Sequence, residues 1–221
     1  MRSLLALSLA LSMAAPRAGV ADDDGHEGQG RSERHAVAPA GTYAVAPGVY
    51  AGVKAGAVIP QDADLKTFGD GMLLEAAAGY RLSSNLGFEL AAGRFSMDGT
   101  QTVVYGTIPV AASETVIAYP LTASVKAMLP VGRMRLHALA GGGIYFISVK
   151  SEGRVGGSVI YGDSDSSSPL ALHAGAGISL ALSGRVELGA EVRYVTGNAR
   201  IFDETWHFDS VLLGGMLTCD L

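Results

Sequence analysis

Arg185-Val186-Glu187-Leu188-Gly189-Ala190-Glu191-Val192-Arg193-Tyr194 is the stretch on which the reading of this sequence turns. Val186, Leu188, Ala190, Val192 and Tyr194 share one parity; Arg185, Glu187, Gly189, Glu191 and Arg193 share the other. Such period-two alternation puts successive side chains on opposite faces of a β-strand. The same pattern recurs along the chain. Val49 to Ala57 alternate with Tyr50, Gly52, Lys54 and Gly56; Leu74 to Leu82 alternate with Glu75, Ala77, Gly79 and Arg81. Phe88, Leu90 and Ala92 oppose Gly87, Glu89 and Gly93, and Leu121 to Leu129 oppose Thr122, Ser124 and Lys126. Leu136, Ala138, Ala140, Ile144 and Phe146 oppose Arg133, Arg135, His137, Gly141 and Gly143; Leu172 to Leu180 oppose His173, Gly175, Gly177 and Ser179. An eighth segment, from about Phe208 to Leu221, is apolar without a readable phase. The charges test the pattern independently: in the second, fifth and seventh segments every charged residue keeps one parity, and Arg94 alone breaks from Glu89.

The connections alternate too. Ser83-Ser84-Asn85, Pro130-Val131-Gly132 and Leu182-Ser183-Gly184 are rich in turn formers. Long polar, mobile loops are expected over roughly 60–71, 97–115, 149–169 and 196–207. Eight antiparallel strands joined this way predict an all-β fold, an eight-stranded up-and-down transmembrane β-barrel over 48–221.

Composition leads to the same place. Of 221 residues 30 are glycine, 48% are hydrophobic and only 17% are charged, fewer than the quarter or more of a soluble surface. No window holds the ~18 consecutive apolar residues of a membrane-spanning helix. A net charge of −5 argues against nucleic acid as a partner. The single cysteine, Cys219, forms no internal disulfide, and no Cys/His spacing suits a metal or cofactor. Met1-Arg2-Ser3, the apolar run Leu4–Ala15, and Gly19 and Ala21 before Asp22 have the layout of a cleaved signal peptide over 1–21. Residues 22–47 are polar and then Ala/Pro/Gly-rich, as in a flexible periplasmic leader.

Parity does not say which face meets lipid. A soluble ligand-binding barrel would turn the apolar face inward. Three features favour lipid: the polar face is mostly glycine with isolated charges, the strands are about 10 residues long, and aromatics fall at strand ends. Tyr80 and Phe88 lie beside one turn, and Tyr119, Phe146 and Tyr194 near the loops, as in interfacial girdles. The interior would then carry Lys54, Glu75, Arg81, Glu89, Lys126, Arg133, Arg135, His137, His173, Arg185, Glu187, Glu191 and Arg193. Folding the hairpins places Glu89 diagonal to Arg81, Lys126 opposite His137, and His173 close to Arg193. Because isolated buried charge is costly, these groups should pair. The inward glycines leave free volume, so a narrow passive pore stands beside an occluded interior.

Catalysis has little support. His137 and His173 fall on the inward parity without an adjacent serine; His207 with Ser210 and Asp209 or Glu204 is a weak triad-like grouping. Gly141-Gly142-Gly143 lacks the spacing of a nucleotide loop. Asp163-Ser164-Asp165-Ser166-Ser167-Ser168 lacks the glycine and terminal glutamate of a calcium loop and reads as an exposed, mobile loop.

Gly52-Val53-Lys54-Ala55-Gly56 with Ile59-Pro60, Gly79-Tyr80-Arg81-Leu82-Ser83-Ser84-Asn85-Leu86 leading to Glu89, Leu121-Thr122-Ala123, and Ala140-Gly141-Gly142-Gly143-Ile144-Tyr145 follow one another in an order that resembles the small outer-membrane β-barrel proteins of Gram-negative bacteria, of OmpA, OmpX and OmpW type. The resemblance runs from Gly48 to Leu221. It departs at the C-terminus, which reads Thr218-Cys219-Asp220-Leu221 where those barrels usually end in an aromatic residue. The resemblance implies an outer-membrane protein with a structural or surface-interaction role, some such barrels being narrow channels for small or hydrophobic solutes; a non-enzymatic monomer is expected. Its partners would be membrane lipid and lipopolysaccharide, with a surface ligand reached through the long loops. It transfers no catalytic residue.

Overall fold

The computed structural model describes residues 47–221 except 63, 64, 66, 67, 106, 107 and 157. The expected signal peptide and nearly all of the leader therefore lie outside the described residues. The strands are β1 (Gly48–Pro60), β2 (Gly71–Arg81), β3 (Leu86–Tyr105), β4 (Ile108–Val131), β5 (Met134–Val155), β6 (Ser158–Ser167), β7 (Leu170–Ala181), β8 (Val186–Ile201), β9 (Glu204–His207) and β10 (Ser210–Asp220). Eight of them close an antiparallel ring, β1-β2-β3-β4-β5-β7-β8-β10. β10 completes it by pairing with β1 from Tyr50↔Asp220 to Pro60↔Ser210 and with β8 from Ser210↔Val195 to Cys219↔Val186. The eighth segment's phase is now explicit: Ser210, Leu212, Met216 and Thr218 are buried inside, while Leu213 and Leu217 are exposed outside. Apolar residues on both faces hid its alternation.

One end of the barrel carries the short turns. At two of them a serine hydroxyl accepts the N–H groups that the bend leaves free: Ser83 from Asn85 and Leu86, Ser183 from Arg185 and Val186. At the third, Gly132 takes φ +62°, a left-handed conformation that suits glycine.

At the other end, three of the four expected loops are strands instead. β3 and β4 stay paired from Met97↔Val116 to Tyr105↔Ile108, and β5 pairs β6 from Ile147↔Ser167 to Val155↔Ser158. β4 and β5 remain paired up to Ala111↔Arg154, so β3, β4, β5 and β6 continue beyond the ring as a four-stranded blade. β8 and β9 form a smaller hairpin from Asn198↔His207 to Ile201↔Glu204. Alternation continues in these segments with its faces exchanged: apolar residues such as Met97, Val116 and Val149 point inward, while polar ones such as Asp98 and Lys150 point outward. That exchange makes them look like loops in a search for outward apolar residues. In the fourth connection, 61–70, Phe68 forms an isolated bridge to Gly99 and Gly69 N–H donates to the Asp98 carbonyl at 3.0 Å.

The β8–β9 turn has Phe202 at φ 49° and Asp203 at φ 63°, the two left-handed residues of a tight hairpin turn that favours Asn-Gly. Asp165 of β6 accepts the Phe202 N–H and that of Ser166. Asp163-Ser168 is thus largely ordered strand holding a neighbouring turn, not a mobile loop. Asp203→Gly should relieve about 1 kcal/mol of left-handed strain and raise the urea midpoint of the protein in micelles.

The Phe202 and Ser166 N–H groups hold the Asp165 carboxyl below the usual carboxylate range. A carboxyl depressed on folding stabilises fully above its unfolded value, about 4, and loses that contribution as pH falls through the lowered folded value. Amide exchange at Phe202 should therefore stay slow at about pH 5 and quicken only below the ordinary Asp range. In Asp165→Ala it should be fast at both.

Candidate functional site: the charged interior and its apolar cap

Strand parity brings the charged side chains together inside the ring. Lys54 on β1, Glu75 and Arg81 on β2, Glu89 on β3, Lys126 on β4, Arg135 and His137 on β5, His173 on β7, and Glu187, Glu191 and Arg193 on β8 are all buried. Three carboxylates and three cations form the central cluster. Lys54 Nζ lies 3.2 Å from Glu75, 2.7 Å from Glu89 and 3.1 Å from Glu191. Arg193 donates two N–H groups to Glu75 at 3.1 Å each and one to Glu191 at 2.7 Å. Lys126 Nζ reaches Glu89 at 2.5 Å and Glu191 at 3.6 Å; His137 Nε2 meets Glu191 at 3.1 Å, and Tyr50 donates to Glu89 at 3.0 Å. Formal charge cancels within the cluster, which is what makes its burial tolerable.

A second cluster sits nearer the turns. Glu187 takes Arg135 at 2.6 Å, Arg81 at 3.4 Å and the Ser179 hydroxyl at 2.9 Å. Arg81 also pairs with Asp220 of β10 and stands 4.7 Å over the Tyr50 ring. His173 and Ser124 share a 2.8 Å hydrogen bond.

Some expected placements change. Arg133 and Arg185 are exposed in turns rather than interior, because the strands begin one residue later, at Met134 and Val186. Arg81 remains diagonal to Glu89 in register but reaches toward Glu187 and Asp220. Lys126 stands opposite Leu139, one step from His137, and turns to the carboxylates. Of the triad-like grouping, Ser210 is buried inside while His207 and Glu204 are exposed on β9.

The expected free volume above the inward glycines is taken up by neighbouring backbone at Gly93, Gly141, Gly143 and Gly175, and by rings at three others. A Cβ on Gly79 would stand 2.3 Å from the Tyr50 ring, on Gly177 2.5 Å from the His137 ring, and on Gly197 2.5 Å from the Phe208 ring. These glycines are seats for side chains reaching across from other strands.

Above the charges lies an apolar cap that parity reasoning missed. Val58, Leu73, Phe95, Met97, Val116, Tyr145, Ile147, Val149, Val195, Ile201, Phe208 and Leu212 pack in one cluster, joined by Leu65 and Phe68 from the 61–70 connection. Tyr145 lies between Phe95 and Phe208, with ring centroids 6.4 and 5.8 Å away. A cavity of about 20 Å³ remains among Leu65, Phe95, Ile147 and Trp206, and another of about 20 Å³ near Arg81, Lys126 and His137. Each is about the size of one water. The signal that could have found the cap is the exchange of phase within single strands: Leu90 and Ala92 give way to Phe95 and Met97, and Phe146 to Ile147 and Val149.

Outside, Tyr80 and Phe88 are exposed opposite each other near the turns, and Tyr119 and Phe146 near the hairpin end, with Tyr194 also exposed. Exposed leucines and valines fill the belt between; Leu74, Leu90 and Leu172 are 64, 64 and 67% exposed. From Leu129 to Tyr119 on β4 is about 34 Å of strand, or about 25 Å of height once tilted by ~40°. A continuous apolar belt of that height on a face with nothing packed against it is a lipid-facing surface.

Residues 35–213 match the outer membrane protein beta-barrel domain. The chain belongs to that family. The family places the barrel in the bacterial outer membrane. Neisserial surface protein A has a similar structure, with TM-score 0.54 and 18% identity over 78% of this chain and 97% of that one. A major outer membrane protein from Thermus thermophilus is similar at TM-score 0.50 and 16% identity, over 78% of this chain and 99% of that one. No curated protein matches the chain. At these identities the likeness to the two solved structures speaks for the fold of the outer-membrane barrel alone.

Removing one partner from the central cluster strands buried charge. Glu191→Ala should cost about 3–5 kcal/mol of unfolding free energy in micelles, whereas Arg154→Ala, which breaks an exposed pair with Glu152, should cost no more than about 1. Gly177→Ala should cost about 1–3 kcal/mol or more, because the added methyl meets both the Ala190 carbonyl and the His137 ring at 2.5 Å. Urea titration followed by heat-modifiable gel mobility measures all three.

Proposed function

We propose that this chain is a non-catalytic structural protein of the outer membrane, closed to solutes, which displays the four-stranded blade at the cell surface as its interaction element. The observation that carries this reading is the exchange of faces along single strands. Within the belt the outside is apolar and the inside charged; just past the girdle the inside is apolar, at Met97, Val116 and Val149, and the outside polar, at Asp98, Thr115 and Lys150. A sheet built so matches lipid over one height and water over the next, and the polar part belongs outside the bilayer. Short turns facing the periplasm and long hairpins facing outward is the usual orientation of such barrels.

The cancelled ion clusters and the apolar cap weigh against the narrow pore, since they fill the bore in two consecutive layers. The interior residues act here as cross-braces between strands. On the outer face Arg94 pairs in register with Leu74 and is exposed at the upper margin of the belt, a position suited to the anionic headgroups of lipopolysaccharide.

Purified protein in planar bilayers should show no discrete conductance; stepwise openings would overturn the closed reading. Val159→Cys in a Cys219→Ser background should react with a membrane-impermeant maleimide on intact cells. Labelling only after cell lysis would overturn the surface placement of the blade.

A further inference from the structure

The blade ends in two sheet edges that are unpaired among the described residues. On the β3 side the 61–70 connection covers the edge as far as Gly99, through the Phe68 bridge and the Gly69 hydrogen bond to Asp98. From Thr100 to Tyr105 β3 has no neighbour on that side among the described residues. On the β6 side the β8–β9 turn reaches Asp165 and no farther, leaving Ser158–Ser164 uncovered among the described residues. Natural edges are usually protected by charge, proline, a β-bulge or a short strand. Thr100-Gln101-Thr102-Val103-Val104-Tyr105 has none of these; the β6 edge carries a bulge at Ile160 and one charge at Asp163, with Ser158-Val159-Ile160-Tyr161-Gly162 uncharged. Val104, Val159, Ile160 and Tyr161 are between 53 and 61% exposed.

We infer that the free β3 edge of one copy pairs with the free β6 edge of a second copy in the same membrane, joining blades into one sheet. Copies in one membrane all point the same way. β3 runs from the turn end outward and β6 runs back, so a β3–β6 contact is antiparallel, while β3–β3 or β6–β6 would be parallel and slightly weaker. Each copy offers one edge of each direction. A foreign extended peptide on one edge leaves the other open, whereas neighbouring copies satisfy both. The contact is head-to-tail and propagates as a row or closes as a ring. Each barrel is complete in one chain, and the expected monomer becomes the unit of that assembly. The inference rests on the proposed placement of the blade outside the membrane.

The test uses the full chain with Cys219→Ser, in the outer membrane of intact cells and in lipid vesicles. Thr102 and Val159 lie on the same face of the blade, in the row Thr102–Ala111–Arg154–Val159. Thr102→Cys chains mixed with Val159→Cys chains should cross-link through a short bis-maleimide to a dimer. The double variant should give a ladder of higher species, and each single variant alone should stay monomeric. Thr102 shares its backbone direction with Asp98, whose carbonyl faces the free edge, so Thr102→Pro removes an edge donor without touching the β3–β4 ladder. Placed beside Val104→Cys, it should cut cross-linking to Val159→Cys about tenfold while leaving heat-modifiable mobility unchanged. Equal cross-linking of like and unlike pairs, or adducts with another protein in cells and none in vesicles, would overturn the inference. So would a lack of cross-links where Val159→Cys still labels on intact cells, and in that case the surface reading survives. If Val159→Cys fails to label, both fall.

Discussion

Closure of β10 onto β1 is the constraint on which everything else in this molecule depends. In lipid a free N–H or carbonyl has no partner, so a spanning sheet must have no edge. The eight-stranded ring satisfies that demand within one chain. Closure also creates an interior too narrow for bulk water, and the sequence then has to fill it. It does so with a charge-balanced cluster whose members come from six strands, β1, β2, β3, β4, β5 and β8. The ion pairs do not drive folding, because desolvation offsets much of their attraction. What they do is make every strand's position conditional on several others.

The glycines complete that dependence. Gly79 and Gly177 are seats for the Tyr50 and His137 rings, and neither seat is filled by its own strand. Tyr50 of β1 covers a glycine of β2, and His137 of β5 covers one of β7. The glycine-rich composition therefore reflects filling by neighbours rather than empty space.

The belt was legible in the sequence because two signals agreed there. In segments such as Glu75–Arg81 and Arg185–Arg193, apolar parity and charge parity point the same way. Where only one signal exists the reading weakens. β10 has apolar residues on both faces, at Leu212 and Met216 inside and Leu213 and Leu217 outside, so pattern alone assigns no phase. The hairpin extensions failed for a different reason: Asp98, Thr115 and Lys150 are polar because their face meets water, not because the chain leaves the sheet. Which cation pairs with which acid was legible only as neighbourhood, since Arg81 and Lys126 are long enough to choose among several carboxylates.

The faces exchange within β3, β4 and β5 while β4 and β5 stay paired through the girdle and β3 keeps one register with β4 on both sides of it, from Ala92↔Leu121 to Phe95↔Ala118 and on to the tip of the blade. The blade thus inherits its alignment from the belt. Whatever depth the lipid imposes on Leu90 and Leu121 is passed, strand spacing by strand spacing, to Thr102 and Arg154. The bilayer acts as the jig for a surface it never touches. A thicker or thinner membrane would raise or lower the display of the blade without altering a single contact inside it.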